Sequence, residues 1–122
     1  MNPQQLEDRL IAFAVSIIQI TDSLPNTRAG NTIANQIVRS GTSPALNYGE
    51  AQSAESTRDF IHKVQVVLKE LRETLIALKI IREAQLLTEP SIVEITIQEN
   101  NELISIFVAT INTMKKKTKD MR

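Results

Sequence analysis

The sequence predicts an all-α fold: an antiparallel up-down-up-down four-helix bundle, with the second helix kinked near Pro44. Three observations lead there. Four stretches of the 122-residue chain step their apolar residues by three and four. No stretch sustains the apolar–polar alternation of a strand. The few punctuating residues, Pro3, Pro25, Pro44, Pro90, Gly30, Gly41 and Gly49, divide the chain into these stretches. Helices of ~20–28 residues would be ~30–40 Å long, and their short connections favour antiparallel neighbours.

The first helix is expected over Pro3 to Ser23. Leu6, Leu10, Phe13, Ile17 and Ile20 form one face, and Pro3 suits a first turn, where its missing N–H costs nothing. Leu24-Pro25 ends it, because a residue before Pro is pushed out of the α region. The second is expected over Asn31 to Glu55, with Ile33, Ile37 and Val38 as its apolar face, followed by the small residues Ser40, Gly41, Ser43, Ala45, Gly49, Ala51 and Ala54. Pro44 removes the bond to the Ser40 carbonyl and so kinks the helix; the alternative is a break, with Ser43 capping a new helix. The third runs from Thr57 to Ala84 behind a Ser56–Asp59 capping pair, with Phe60, Val64, Val67, Leu71, Leu75 and Leu78 inward. The fourth runs from Pro90 to Lys117, capped by Thr88, with Val93, Ile97, Asn100, Ile104, Phe107, Ile111 and Met114 inward. Asn100 either fixes register inside this stripe or sits at a wet edge.

Residues 1–114 are read as one bundle domain and residues 115–122 as a basic C-terminal tail. Lys plus Arg and Asp plus Glu both number 14, so no net field draws the chain to nucleic acid or membrane. The chain has no Cys, one His and three Gly, which excludes thiol chemistry, most metal sites and phosphate loops. Asp59 and His62 form a single carboxylate-x-x-His unit, where a di-metal bundle needs two. The reading therefore expects no enzyme, cofactor, metal or small-molecule substrate. The acidic N-terminal stretch does not resemble a leader, and no apolar run approaches a membrane span. A cytoplasmic protein is expected.

A second apolar stripe exceeds the needs of a lone bundle: Ile11, Val15 and Ile18 on the first helix; Val66, Ile76 and Ile80 on the third; Ile92, Ile95, Leu103 and Ile106 on the fourth. It reads as a subunit interface, or else as a wider core face. Arg39, Ser43, Asn47 and Glu50 fall within an arc of about 80° on the second helix. With Asp59 and Lys63 they are either a binding site or a polar network between two helices. Lys115, Lys116, Lys117, Lys119 and Arg122 are the densest bases and the candidate nucleic-acid contacts; the alternative is a solvated helix end favoured by the dipole. Phe13, Tyr48, Phe60 and Phe107 are the only aromatics, so stacking platforms for single strands are nearly absent.

The middle of the chain reads Arg39-Ser40-Gly41-Thr42-Ser43-Pro44-Ala45-Leu46-Asn47-Tyr48-Gly49-Glu50-Ala51, then Glu55-Ser56-Thr57-Arg58-Asp59-Phe60-Ile61-His62-Lys63, then Lys69-Glu70-Leu71-Arg72-Glu73-Thr74. It resembles the bacterial four-helix-bundle family first found encoded in intervening sequences of 23S rRNA genes. Pro44 and Leu75-Ile76-Ala77-Leu78 depart from the family pattern, which has an apolar residue and aromatics there. The resemblance implies a four-helix bundle, commonly a ring-shaped homopentamer, with no established enzymatic activity. A related branch, the accessory proteins of diversity-generating retroelements, is basic and binds nucleic acid and a reverse transcriptase; this sequence lacks that basic excess. The function expected is a non-enzymatic oligomeric adaptor that binds a nucleic acid or ribonucleoprotein partner, any RNA or DNA weakly. The alternative is a protein–protein scaffold with no nucleic-acid role.

Overall fold

A computed structural model describes the backbone of residues 1–120 and the side chains of residues 1–119. Among these residues there are four α-helices and no strand: α1 Pro3–Ser23, α2 Arg28–Ala51, α3 Thr57–Glu83 and α4 Ser91–Asp120. Each packs on its neighbours in the chain, and α1 also meets α4, which closes the bundle. α1 and α3 are diagonal and do not approach as backbones. The diagonal pair α2 and α4 meets through side chains, Tyr48 standing edge-on to Phe107 with ring centroids 5.5 Å apart. No helix among the described residues is long and apolar enough to cross a membrane.

α1 has the predicted bounds, and all five residues of its predicted stripe are buried. Its start is a reciprocal cap: the Gln5 N–H donates to Asn2 Oδ1 (2.8 Å) and the Asn2 N–H to Gln5 Oε1 (3.0 Å). α2 starts earlier than predicted, because Thr27 caps it by accepting from the Gly30 N–H (3.0 Å). It also ends four residues short of Glu55, since residues 52–56 form the turn leading to the Ser56 cap. The helix continues through Pro44, so the alternative with a break and a Ser43 cap is not adopted. Gly41 lets α1 and α2 close together: a Cβ there would lie 2.6 Å from Ile17 Cγ2.

α3 begins where predicted, with Ser56 Oγ accepting from the Asp59 N–H (3.0 Å). Two residues past its end at Glu83, Gln85 has a φ of 52°, in the left-handed region. The Leu86 N–H then reaches the Ile81 carbonyl (3.1 Å) and the Gln85 N–H the Arg82 carbonyl (3.1 Å), which together close the helix. α4 begins at Ser91, with the Pro90 carbonyl accepting from Val93 (3.1 Å), so Thr88 does not serve as its cap.

The inward face of α4 differs from the predicted stripe. Leu103 is fully buried in the core and is not part of an outer stripe, whereas Ile104 is half-buried. α4 touches both α1 and α3, so its buried face is wider than one heptad seam and takes in Thr96 and Leu103 beside Asn100 and Phe107. Asn100 is fully buried. Turned so that both ends of its amide are paired, its nitrogen donates to the Leu71 carbonyl (3.0 Å) and its oxygen accepts from the Leu75 N–H (3.1 Å).

Candidate functional site

The motif residues of α2 and α3 face one another across a single seam. Arg39 donates to Glu70 Oε2 (3.4 Å) and Glu73 Oε2 (3.5 Å). One turn further in, the Thr74 hydroxyl donates to the Glu70 carbonyl (2.8 Å) and stands 2.9 Å from the Ser40 hydroxyl. Asn47 turns back on its own helix, donating to the Ser43 carbonyl (3.0 Å) and hydroxyl (2.7 Å). At the far end of the seam Lys63 sits between Glu50 (3.8 Å) and Asp59 (3.9 Å), and Asp59 also accepts from the Glu55 N–H (3.2 Å).

The predicted arc is therefore not one cluster. Arg39 belongs to a pairing with Glu70 and Glu73, Glu50 to one with Lys63 and Asp59, and the Ser43–Asn47 bond lies between them. These contacts pair groups of the motif with one another and with α3, while the Arg39 and Glu50 side chains stay 63% and 66% exposed. Glu70 is buried, and burial pushes its carboxyl above the usual carboxylate range; nearby Glu73 adds to the rise, while Arg39 and Lys69 oppose it. Burial likewise raises the Tyr48 phenol.

Six of the ten residues predicted as an outer stripe are exposed: Ile11, Val15 and Ile18 on α1, Ile76 and Ile80 on α3, and Ile95 on α4, from 43% for Ile18 to 66% for Ile95. Val66, Ile92 and Ile106 are half-buried, the last two against the core. Ile95 joins Ala12, Phe13 and Ser16 along a groove of about 350 Å³ between α4 and α1. Beside that groove Arg9 forks onto Glu99 (2.7 and 2.6 Å) and reaches Glu102 (2.7 Å).

Leu46 was missed as a surface residue. It is 69% exposed, and its register puts it on the side of α2 opposite Pro44 and Tyr48, so helical spacing held the signal. His62 is exposed. Lys115, Lys116, Lys117 and Lys119 are exposed on the last turns of α4, and Arg122 lies outside the described residues.

A sequence profile of the family described as 23S rRNA-intervening sequence protein matches residues 5–109. Among solved structures, the chain is similar to a crystal structure of a protein with unknown function from the S23 ribosomal protein family of Bacteroides thetaiotaomicron VPI-5482. The two are 31% identical over 87% of this chain and 97% of that one, with a TM-score of 0.79. No curated protein matches the chain.

Proposed function

Because the chain belongs to the 23S rRNA-intervening sequence protein family, we propose that it is a non-enzymatic, oligomeric adaptor that binds a nucleic acid or ribonucleoprotein partner weakly through its basic C-terminal end. The observation that carries the reading is the set of six exposed Ile and Val side chains on α1, α3 and α4. They fall in two places. Ile11, Val15 and Ile18 run along α1 with Ile95 of α4 nearby, while Ile76 and Ile80 lie on α3, diagonal to α1.

A two-fold contact through either strip leaves the other in water. A head-to-tail contact covers both, and such contacts form a ring when the rotation between copies closes and an open filament when it does not. The α1 strip continues at helical spacing into exposed Asp8 and Asp22, and the α3 strip is flanked by exposed Lys69 and Arg72 and by exposed Glu73 and Glu83, so apolar burial and not charge carries the contact. Five copies is the number that the resemblance implies.

In this reading the helices run up-down-up-down. The order of cross-helix pairs supports it, since Arg39 meets Glu70 while Glu50, later in α2, meets Lys63, earlier in α3. The missing N–H of Pro44 supports a kink in α2. Residues 1–114 form the bundle and residues 115–122 the basic segment, and the absence of Cys fits a reducing cytoplasm. The balanced total charge favours a second reading, a protein–protein scaffold without nucleic acid. Light scattering coupled to size exclusion on the unmodified chain, at tens of micromolar, tests the assembly; the expected mass is several times 13.7 kDa.

A further inference from the structure

The first turns of α3 and the last turns of α4 enclose a cleft of about 410 Å³ lined by Arg58, Ile61, Lys115, Thr118 and Lys119. Among the described residues, three of the five that line it are cations and none is an acid. Among the described residues, neither Arg58, Lys115 nor Lys119 pairs with a carboxylate. The nearby Asp59 carboxylate is held by the Glu55 N–H and by Lys63. Thr118 gives its hydroxyl to the Met114 carbonyl (2.9 Å), so it offers the cleft no donor. The remaining wall is half-buried Ile61 and the aliphatic stems of the basic residues. Arg58, Lys115 and Lys119 thus bring three like charges to the rim of a cleft with an apolar floor, a setting complementary to an anion carried on an apolar body.

The geometry points to this cleft as a seat for one nucleotide unit of single-stranded nucleic acid. Its phosphate lies across Arg58, Lys115 and Lys119, and its sugar or base lies against Ile61. The inference rests on the nucleic-acid half of the proposed function and moves the contact from a diffuse tail to a site shared with α3. The volume suits a single small unit. A duplex keeps its bases stacked away from such a floor. An extended anionic bilayer is disfavoured because residues 1–114 hold nine bases against thirteen acids, whereas a single strand can reach one end of the bundle. With an aliphatic floor in place of an aromatic platform, binding is modest and independent of sequence.

The test is fluorescence anisotropy of a labelled short single-stranded RNA across a salt series, with thermal melts confirming that each variant folds. Arg58→Gln is expected to weaken binding about tenfold and to flatten the log affinity against log salt slope by about 0.7. Lys116→Gln and Lys117→Gln, which remove the same charge outside the cleft, are each expected to weaken it only about twofold, because screening dilutes remote charges. Ile61→Ala is expected to weaken RNA binding while leaving competition by inorganic tripolyphosphate unchanged. Wild-type affinity in Arg58→Gln, or equal losses in Lys116→Gln and Arg58→Gln, overturns the cleft and leaves the tail reading standing. No RNA binding by the unmodified chain at low salt overturns both. Binding to phosphatidylserine vesicles without RNA binding assigns the cleft to a lipid headgroup and also overturns the proposal.

Discussion

Asn100 presses its amide against two backbone groups of α3, the Leu71 carbonyl and the Leu75 N–H, which a regular helix pairs with each other. An apolar residue there would fill the space but would not choose that turn of α3, which is how a buried Asn can specify register at some expense in stability. Glu70 is the second buried polar residue with a consequence that can be measured. Its carboxyl is raised in the fold, so it binds its proton more tightly folded than unfolded. Its favourable contribution is complete below the unfolded pKa and is lost as pH rises through the folded one. Glu70→Gln is therefore expected to gain in melting temperature relative to wild type as the buffer goes from about pH 4 to about pH 7. A difference that shrinks over that range contradicts the assignment. Gly41 and Gly49 make a contrasting pair. A Cβ at Gly41 would lie 2.6 Å from Ile17, so Gly41→Ala is expected to cost about 1–3 kcal/mol. A Cβ at Gly49 would meet only Glu7 Oε1 at 3.8 Å, so Gly49→Ala is expected to gain about 0.5–1 kcal/mol. Denaturant melts of the two variants check the pair. The sequence placed both glycines among small residues without separating them, because the separation depends on which residue of α1 faces each.

At the scale of the helix, legibility followed periodicity. α1 was readable in full because Leu6, Leu10, Phe13, Ile17 and Ile20 form an uninterrupted face with a Pro at each end. α2 was readable as an element but not at its ends. Thr27 caps through a side-chain bond that many Thr residues could make, and residues 52–56 carry no Pro or Gly to mark the turn. In α4 a single stripe was the wrong template. A helix wedged between two neighbours buries a flank as well as a seam, which drew Leu103 inward. The end of α3 was equally hidden, since Gln85 occupies a left-handed position usually taken by Gly. Removing its Cβ relieves a conformation that disfavours L side chains, and Gln85→Gly is expected to stabilise the protein by about 1 kcal/mol in thermal melts. A loss of stability would mean that the Gln85 side chain holds the turn in some other way.

For the whole molecule, the candidate sites divide into those whose polar groups pair across the helices and those without such partners. The motif residues that identified the family, Arg39, Ser43, Asn47, Glu50, Asp59 and Lys63, were legible as a polar group, but their pairing depends on α3, which sequence spacing within α2 cannot show. The exposed Ile and Val residues were legible because they repeat at helical spacing outside the core stripe; the half-buried ones were not separable from them without the neighbouring helices. The central claim is that these exposed residues join copies of the chain. The most direct measurement is the mass by light scattering of the wild type and of an Ile76→Glu, Ile80→Glu double variant at equal concentration, with helicity followed by circular dichroism. Both positions are exposed within one chain, so the two charges should leave the helices formed while breaking the contact. The account predicts an oligomer for the wild type, five copies by resemblance, and a folded 13.7 kDa species for the variant. A wild type that already runs as a folded single chain, or a variant that keeps the full oligomeric mass, would contradict it.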